Sequence, residues 1–328
     1  KRRKFMDNLK KIGVTALAGT LASVSAAQAG SMSVSGTAEL TYVQKDSKEL
    51  TGNPLGMGKD ITFNGSGELD NGWTVSVMHD LTDAAAWASS SLTIGMGSLG
   101  TIVVDQGTGA DYGSALDNVV PQAFEEADAG MDTGMRLSGG AITPNGSITY
   151  KFPAFSGLQL GGSYQPRSGA AANADGATNE GSGKAGWEYA ADWSPEMVPG
   201  LRVGGVIGQC EDCNAANKDT DEETFFATYA YGPLSIGYQV AEIDNGTKSY
   251  DTDVYGVSFN VNDALSVSYQ YGETSGYGGG NDVAEFEGIS AAYNIGPMAI
   301  KFTDNSAKNM NGTTNDDDQR ELNLSMSF

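Results

Sequence analysis

The sequence predicts an all-β chain closed into an antiparallel transmembrane β-barrel of sixteen strands. Three observations carry that prediction. Apolar and polar residues alternate one by one along most of the chain, the period of a strand with one apolar face. Tight turns alternate with long polar connections. Beyond the first thirty or so residues, no apolar run is long enough to cross a bilayer as a helix. Composition agrees. The 328 residues include 45 Gly, two Cys and one His, with a formal net charge of −22. Such a polyanion repels phosphate backbones, so nucleic acid is not an expected partner. Two cysteines cannot make a disulfide scaffold, and one histidine leaves little for His-based catalysis or metal binding. Mean hydropathy of −0.29 argues against a helical polytopic membrane protein.

The elements follow in chain order. Residues 1–12 are basic, Ile12 to Ala27 are apolar or small, and Ala27-Gln28-Ala29 ends in a small-x-small pattern. This is the layout of a secretory signal peptide, expected to be cleaved after Ala29, with Met6 a plausible natural start. Removing 1–29 takes away six basic residues and one acid. The barrel chain 30–328 then has 299 residues, 13 Lys+Arg and 40 Asp+Glu, a net charge of −27.

Met32, Val34, Gly36, Ala38, Leu40 and Tyr42 alternate with Ser33, Ser35, Thr37, Glu39 and Thr41. The same period sets Ile61 and Phe63 against Asp60 and Thr62, with Glu68 on the polar side. It sets Trp73, Val75 and Val77 against Thr74 and Ser76, and Ile148 and Tyr150 against Thr149 and Lys151. Further on, Trp187 and Tyr189 alternate with Glu188, and Leu201 and Val203 flank Arg202. Leu234 to Val240, Tyr255 to Val261, Leu265 to Tyr271 and Ile289 to Ile295 repeat it. Ile300 and Phe302 flank Lys301, and Leu322, Leu324, Met326 and Phe328 close the chain. The apolar face is light and aromatic near the strand ends, as lipid contact requires, and the polar face suits a water-filled lumen. Tight turns lie at 70–72, 97–100, 232–233, 262–264 and 296–297. Long connections are expected at 43–57, 81–89, 107–145, 166–184, 209–223, 242–252, 273–284 and 304–318. Eight long loops between chain ends on one side imply sixteen strands, and an even count closes the sheet without edges. Met135–Ala141 stays inside the third loop, because a strand there would put 166–184 on the short-turn side.

Four features resemble a Gram-negative outer-membrane porin of the alphaproteobacterial type. The chain ends in Leu322-Asn-Leu-Ser-Met-Ser-Phe328, similar to a terminal barrel-assembly signal. Gly97 to Val104 resembles the strand–turn–strand before the third loop of porins, and Ser147 to Gly157 the strand and turn after it. An export signal precedes them all. The sequence departs from the family at 103–106, where Val-Val-Asp-Gln stands for a Gly-Arg-like end and removes one basic residue. The resemblance implies a homotrimer in outer-membrane lipid that passes small hydrophilic solutes and ions, requires no cofactor and is not an enzyme. It also implies that the third loop, 107–145, folds into the lumen as the constriction.

That loop carries Asp111, Asp117, Glu125, Glu126, Asp128 and Asp132. Carboxylates in a constriction attract cations, so a cation preference is expected. Parity puts Glu39, Glu68, Glu188, Lys151, Arg202 and Lys301 on the pore wall, where opposed charges would set up a transverse field. Arg136 lies at the inner end of the loop, positioned to pair with a loop acid. Cys210 and Cys213 are a candidate loop disulfide, since C-x-x-C here has neither a second pair for zinc nor a thioredoxin-like unit. Asp316, Asp317 and Asp318 are a candidate calcium site, or only solvated charge. His79 falls on the apolar parity, as an interfacial rather than catalytic residue. Two other readings are a solute-specific channel, which would want more loop aromatics than Tyr112 and Phe124, and a soluble acidic surface-layer or adhesin protein.

Overall fold

The computed structural model describes residues 30–46, 52–82, 87–138, 141–142, 145–166, 184–213, 218–278 and 283–328. The expected signal segment, 1–29, lies outside them. Sixteen antiparallel strands form one closed barrel in which each strand pairs with its sequence neighbours and the last pairs with the first. They are β1 (Ser31–Lys45), β2 (Leu55–Glu68), β3 (Thr74–Leu81), β4 (Trp87–Gly95), β5 (Thr101–Gln106), β6 (Asn145–Lys151), β7 (Leu158–Gln165) and β8 (Gly186–Trp193). The rest are β9 (Leu201–Cys210), β10 (Thr220–Tyr231), β11 (Leu234–Asp244), β12 (Ser249–Asn260), β13 (Leu265–Ser275), β14 (Ala284–Ile295), β15 (Met298–Lys308) and β16 (Asp317–Ser327). No described helix is long and apolar enough to cross a membrane.

Register turns the period-2 pattern into two faces. Leu40 pairs with Leu324 and Met57, and Ile300 with Leu324 and Tyr293, on the outside. Glu39 pairs with Ser325 and Gly58, facing inward. The outward apolar side chains stay exposed in the isolated chain, among them Leu40, Ile61, Tyr189, Ile207, Ile236 and Ile300. In water so large an apolar surface would drive association; here it is the lipid-contacting band.

Strand extends into three connections expected as long loops, furthest at 242–252. β11 runs to Asp244 and β12 begins at Ser249; β10 begins at Thr220; β15 runs to Lys308 and β16 begins at Asp317. The hydrophobic contrast fades there because the outward positions become carboxylates, while the backbone pairing continues above the lipid. Glu223 lies opposite Glu242, Glu242 opposite Asp251, Asp253 opposite Glu273, and Glu273 opposite Glu285. These acids form a collar over the outer ends of β10–β14. Tyrosines of the apolar band reach up to its lower edge. The Tyr238 hydroxyl donates to Asp253, Tyr269 to Glu287 at 2.7 Å and Tyr271 to Glu273 at 3.2 Å.

The two chain ends clasp each other. Gly36 N donates to Phe328 O at 2.8 Å, and Phe328 N to Gly36 O at 3.0 Å. A Cβ on Gly36 would come within 2.7 Å of the Phe328 ring, so the missing side chain leaves room for it. Deleting Phe328 is expected to reduce the yield of closed barrel severalfold at unchanged expression. Folded protein that migrates faster on an unheated gel, weighed against heated total, measures this.

Candidate pore constriction

The third connection leaves β5 at Gln106 and enters the lumen. Its start is tied to Asp105, whose carboxylate accepts from Thr108 N at 2.9 Å and Ala110 N at 3.0 Å. One helical turn, α1 (Tyr112–Ala115), follows, and Asp111 caps it by accepting from Ser114 N at 2.9 Å. From there the loop crosses the inside of the wall, and wall side chains satisfy its backbone one group at a time. Tyr112 N donates to Ser163 Oγ on β7 at 3.1 Å, and Gly113 N to Glu188 Oε2 on β8 at 2.9 Å. The amide of Gln239 on β11 accepts from Val119 N at 2.7 Å and donates to Leu116 O at 2.9 Å. Ser268, Ser290 and Gln270 accept from Ala123 N, Phe124 N and Ala127 N. Asn305 donates to Glu126 O, Gln319 to Ala129 O and Lys45 to Gly130 O. The chain then returns. Asn311 donates to Asp132 O, Tyr277 to Gly134 O and Thr224 to Leu137 O, and Glu222 accepts from Ala141 N.

Apolar contact fixes the same path. Val120, Ala127, Met131 and Leu137 of the loop pack on Ala241, Val254, Phe286 and Ala307 of the wall. Tyr112 and Leu116 pack on Ala190, Val206 and Phe226. Burying each large apolar side chain contributes about 1.5–3 kcal/mol. The lumen face is therefore not uniformly polar. Where it meets the loop, apolar residues stand among the polar moorings, and Val254 and Phe286 sitting on the polar parity are the sequence signal for this. These partners belong to β5, to the wall from β7 onward, or to Lys45. None of the moorings named above lies on β2–β4.

The family of Gram-negative porins matches residues 13–327. The chain belongs to that family. Among solved structures, an anion-selective porin from Comamonas acidovorans is 14% identical, with a TM-score of 0.65 over 91% of this chain and all of the other. OmpF of Salmonella typhi, solved with daunomycin, is 13% identical, with a TM-score of 0.66 over 92% of this chain and 98% of the other. A mutant of the Rh. blastica porin is 15% identical, with a TM-score of 0.65 over 91% of this chain and all of the other. By sequence, no curated protein matches. At these identities the solved structures share the fold, and the porin's selectivity has to be read from its own side chains.

The loop acids of this porin divide into three settings. Asp111 is fully buried at the foot of α1 and faces the wall; burial pushes its carboxyl up, against the bonds from Ser114. Asp117 and Asp132 are exposed, and partial enclosure raises Asp117 as well. Glu125, Glu126 and Asp128 are half-buried. Desolvation is the main cause that pushes Glu125 to about 7, helped by Glu321 and Glu39 and opposed by Lys301. Desolvation, then Asp128 and Asp117, pushes Glu126 to about 7. Desolvation, opposed by the Thr133 hydroxyl, takes Asp128 to about 6.

The wall residues are as specific. Lys301 lies 4.0 Å from Glu39 and 4.6 Å above the Phe124 ring. Arg202 is held by both oxygens of Asp192, the closer at 2.7 Å, and stacks on Phe226 at 4.9 Å. Lys151 stands 5.7 Å over the Tyr112 ring, and Arg136 4.4 Å over Tyr250. Lys151 and Lys301 reach aromatic rings of the loop, Arg136 reaches from the loop to the wall, and Arg202 stays on its own stretch of wall. β1–β3 present Glu39, Asp60, Glu68 and Asp80 on the inward register, with Thr62 donating to Asp80 at 2.8 Å. Asp60 and Asp80 were not singled out from the sequence, although their parity marked them. Glu188 is inward but fully buried beneath the loop. The mooring residues Ser163, Gln239 and Gln270 carried no sequence signal that separated them from ordinary lumen polars.

Outside the constriction, Cys210 and Cys213 are joined by a disulfide. The three consecutive aspartates diverge: Asp316 accepts from Asn309 N, Asp317 is buried, and Asp318 lies on the outward register beside Ser306. Among the described residues no group of three or more His, Cys, Asp or Glu is arranged to hold a metal. His79 faces outward, 2.8 Å from Ser90 Oγ.

Proposed function

We propose that this porin is an outer-membrane diffusion channel for small hydrophilic solutes and ions that prefers cations. One observation supports the reading: carboxylates gather on the loop, at Glu125, Glu126 and Asp128, and on the inward register of β1–β3, at Glu39, Asp60 and Asp80. Glu39 lies 4.0 Å from Lys301, and Glu125 feels Glu321 and Glu39 against that one ammonium. Fixed negative charge in a narrow path between low-dielectric walls concentrates cations. The reversal potential of single channels under a KCl gradient tests this, and a value of the anion sign overturns it.

The preference is expected to depend on pH. Glu125 and Glu126 ionise near 7 and Asp128 near 6. Below pH 5 all three are neutral, and by pH 8 all three are charged. Cation preference should therefore rise between pH 5 and 8, steepest from 6 to 7.5, in a reversal-potential series. A flat profile would place these groups away from the ion path.

We also propose assembly as a homotrimer in outer-membrane lipid. The outward positions Ala38, Gly65 and Gly67 on the neighbouring strands β1 and β2 support close packing of subunits. Native mass spectrometry from mild detergent measures the assembly, and a monomer throughout would refute it.

A further inference from the structure

The lipid-facing surface carries a hollow over β8 and β9. At its floor Ala191 lies directly opposite Gly205, two small outward residues side by side. Tyr189, Ile207 and Phe225 stand around them and enclose about 550 Å³. A second hollow of about 560 Å³ lies at the short-turn end, among Phe155, Ser156, Pro195, Glu196 and Met197. The two share Leu158 and Trp193, so they form one apolar furrow from the middle of the band to its edge. The Trp193 indole N–H donates to Ser156 O at 3.2 Å, which fixes the ring at the edge with its polar side toward water. The polar end of the furrow carries the carboxylate of Glu196, and neither hollow is lined by Lys or Arg.

We propose that this furrow is a binding site for one phospholipid with an amine-bearing headgroup, from the leaflet on the short-turn side. It rests on the barrel being embedded in a membrane, not on its ion preference. Most of the band is a surface of protruding Leu, Ile, Val and Tyr on which lipid chains slide past. Here the Phe225 ring lies over Gly205, and the short side chain of Ala191 lets one acyl chain sink beside it, trading loose annular contact for packed contact on three sides. The chain then passes Leu158 and Trp193, and its headgroup reaches the interface beside Glu196. A carboxylate with no basic neighbour in the lining favours an ammonium over a second anion. The wall is one residue thick here. Ala190 and Val206, the inward neighbours of the floor, belong to the cluster that seats Tyr112 and Leu116 of the constriction loop. The bound chain thus backs the same patch of sheet that anchors the loop.

The test is native mass spectrometry of the protein in detergent, after equilibration with equal phosphatidylethanolamine and phosphatidylglycerol. The expected result is one retained phosphatidylethanolamine per chain. Ala191→Trp, which fills the hollow, should lower that occupancy roughly tenfold, the equivalent of about 1.4 kcal/mol. Glu196→Gln lies in an exposed turn and leaves the hollow intact. It should keep the lipid but abolish the preference for the amine headgroup, which decides the question even if Ala191→Trp does not fold. Undiminished retention in Ala191→Trp, equal retention of both lipids by the unaltered protein, or dissociation of subunits by Ala191→Trp would each overturn the proposal. The last outcome would assign the furrow to a second copy of the chain.

Discussion

Replacing Asp117, Glu125 and Glu126 together with their amides should bring the cation-to-anion permeability ratio close to unity. A single unit charge about 4 Å from a permeating ion is worth about 1 kcal/mol in water and more near protein walls. That is about a fivefold change in local partitioning. Three neutralisations on one arm therefore remove most of the bias, and what remains comes from Glu39, Asp60 and Asp80 on β1–β3. The effect should be larger at pH 8, where Glu125 and Glu126 are ionised, than at pH 5, where those two are already neutral and only the Asp117 replacement can act. Reversal potentials at the two pH values separate a charge effect from a change of loop position, because the latter would persist undiminished at pH 5. An unchanged ratio at pH 8 would mean that the three groups lie off the ion path.

The second large effect concerns the moorings. Replacing Gln239 and Gln270 together with leucine removes two of the wall amides that hold the outgoing arm. Five hydrogen bonds go: those to Val119 N, Leu116 O, Ala127 N, Asn118 Oδ1 and Gln122 Oε1. Each buried backbone group left unsatisfied costs about 1–3 kcal/mol, which strains the apolar contacts of Val120 and Ala127. The barrel itself, closed by strand ladders that these side chains do not join, should persist. The expected readout is a folded, heat-modifiable barrel with noisier single-channel current and a higher, less uniform conductance. Steady unitary conductance in the double variant would show that apolar packing alone seats the loop.

The sequence made the strands legible because lipid outside and water inside enforce a period of two, broken at Val254 and Phe286 only where the loop covers the lumen face. Leu40 and Glu39, or Ile300 and Lys301, take the faces that parity assigns. The outer strand ends were not legible, because Glu223, Glu242 and Asp251 are polar on the face where apolar residues had marked a strand. The loop's path was not legible either. Ser163, Gln239 and Gln270 become anchors only through their height in the barrel, and height depends on shear and register rather than on residue type. Among the loop acids, sequence placed Asp111 with the others. Folding turns it to the wall as a cap, because a single helical turn begins at the next residue.

The acidic collar has a mechanical consequence. Carboxylates on the lipid side resist being drawn into hydrocarbon, and the penalty grows with depth. Glu223, Glu242, Asp251, Asp253, Glu273 and Glu285 occupy one flank. That flank therefore has a waterline: it can rise but cannot sink, and the barrel cannot lean toward it. The tilt of the pore axis is set by a row of charges that no permeating ion ever meets.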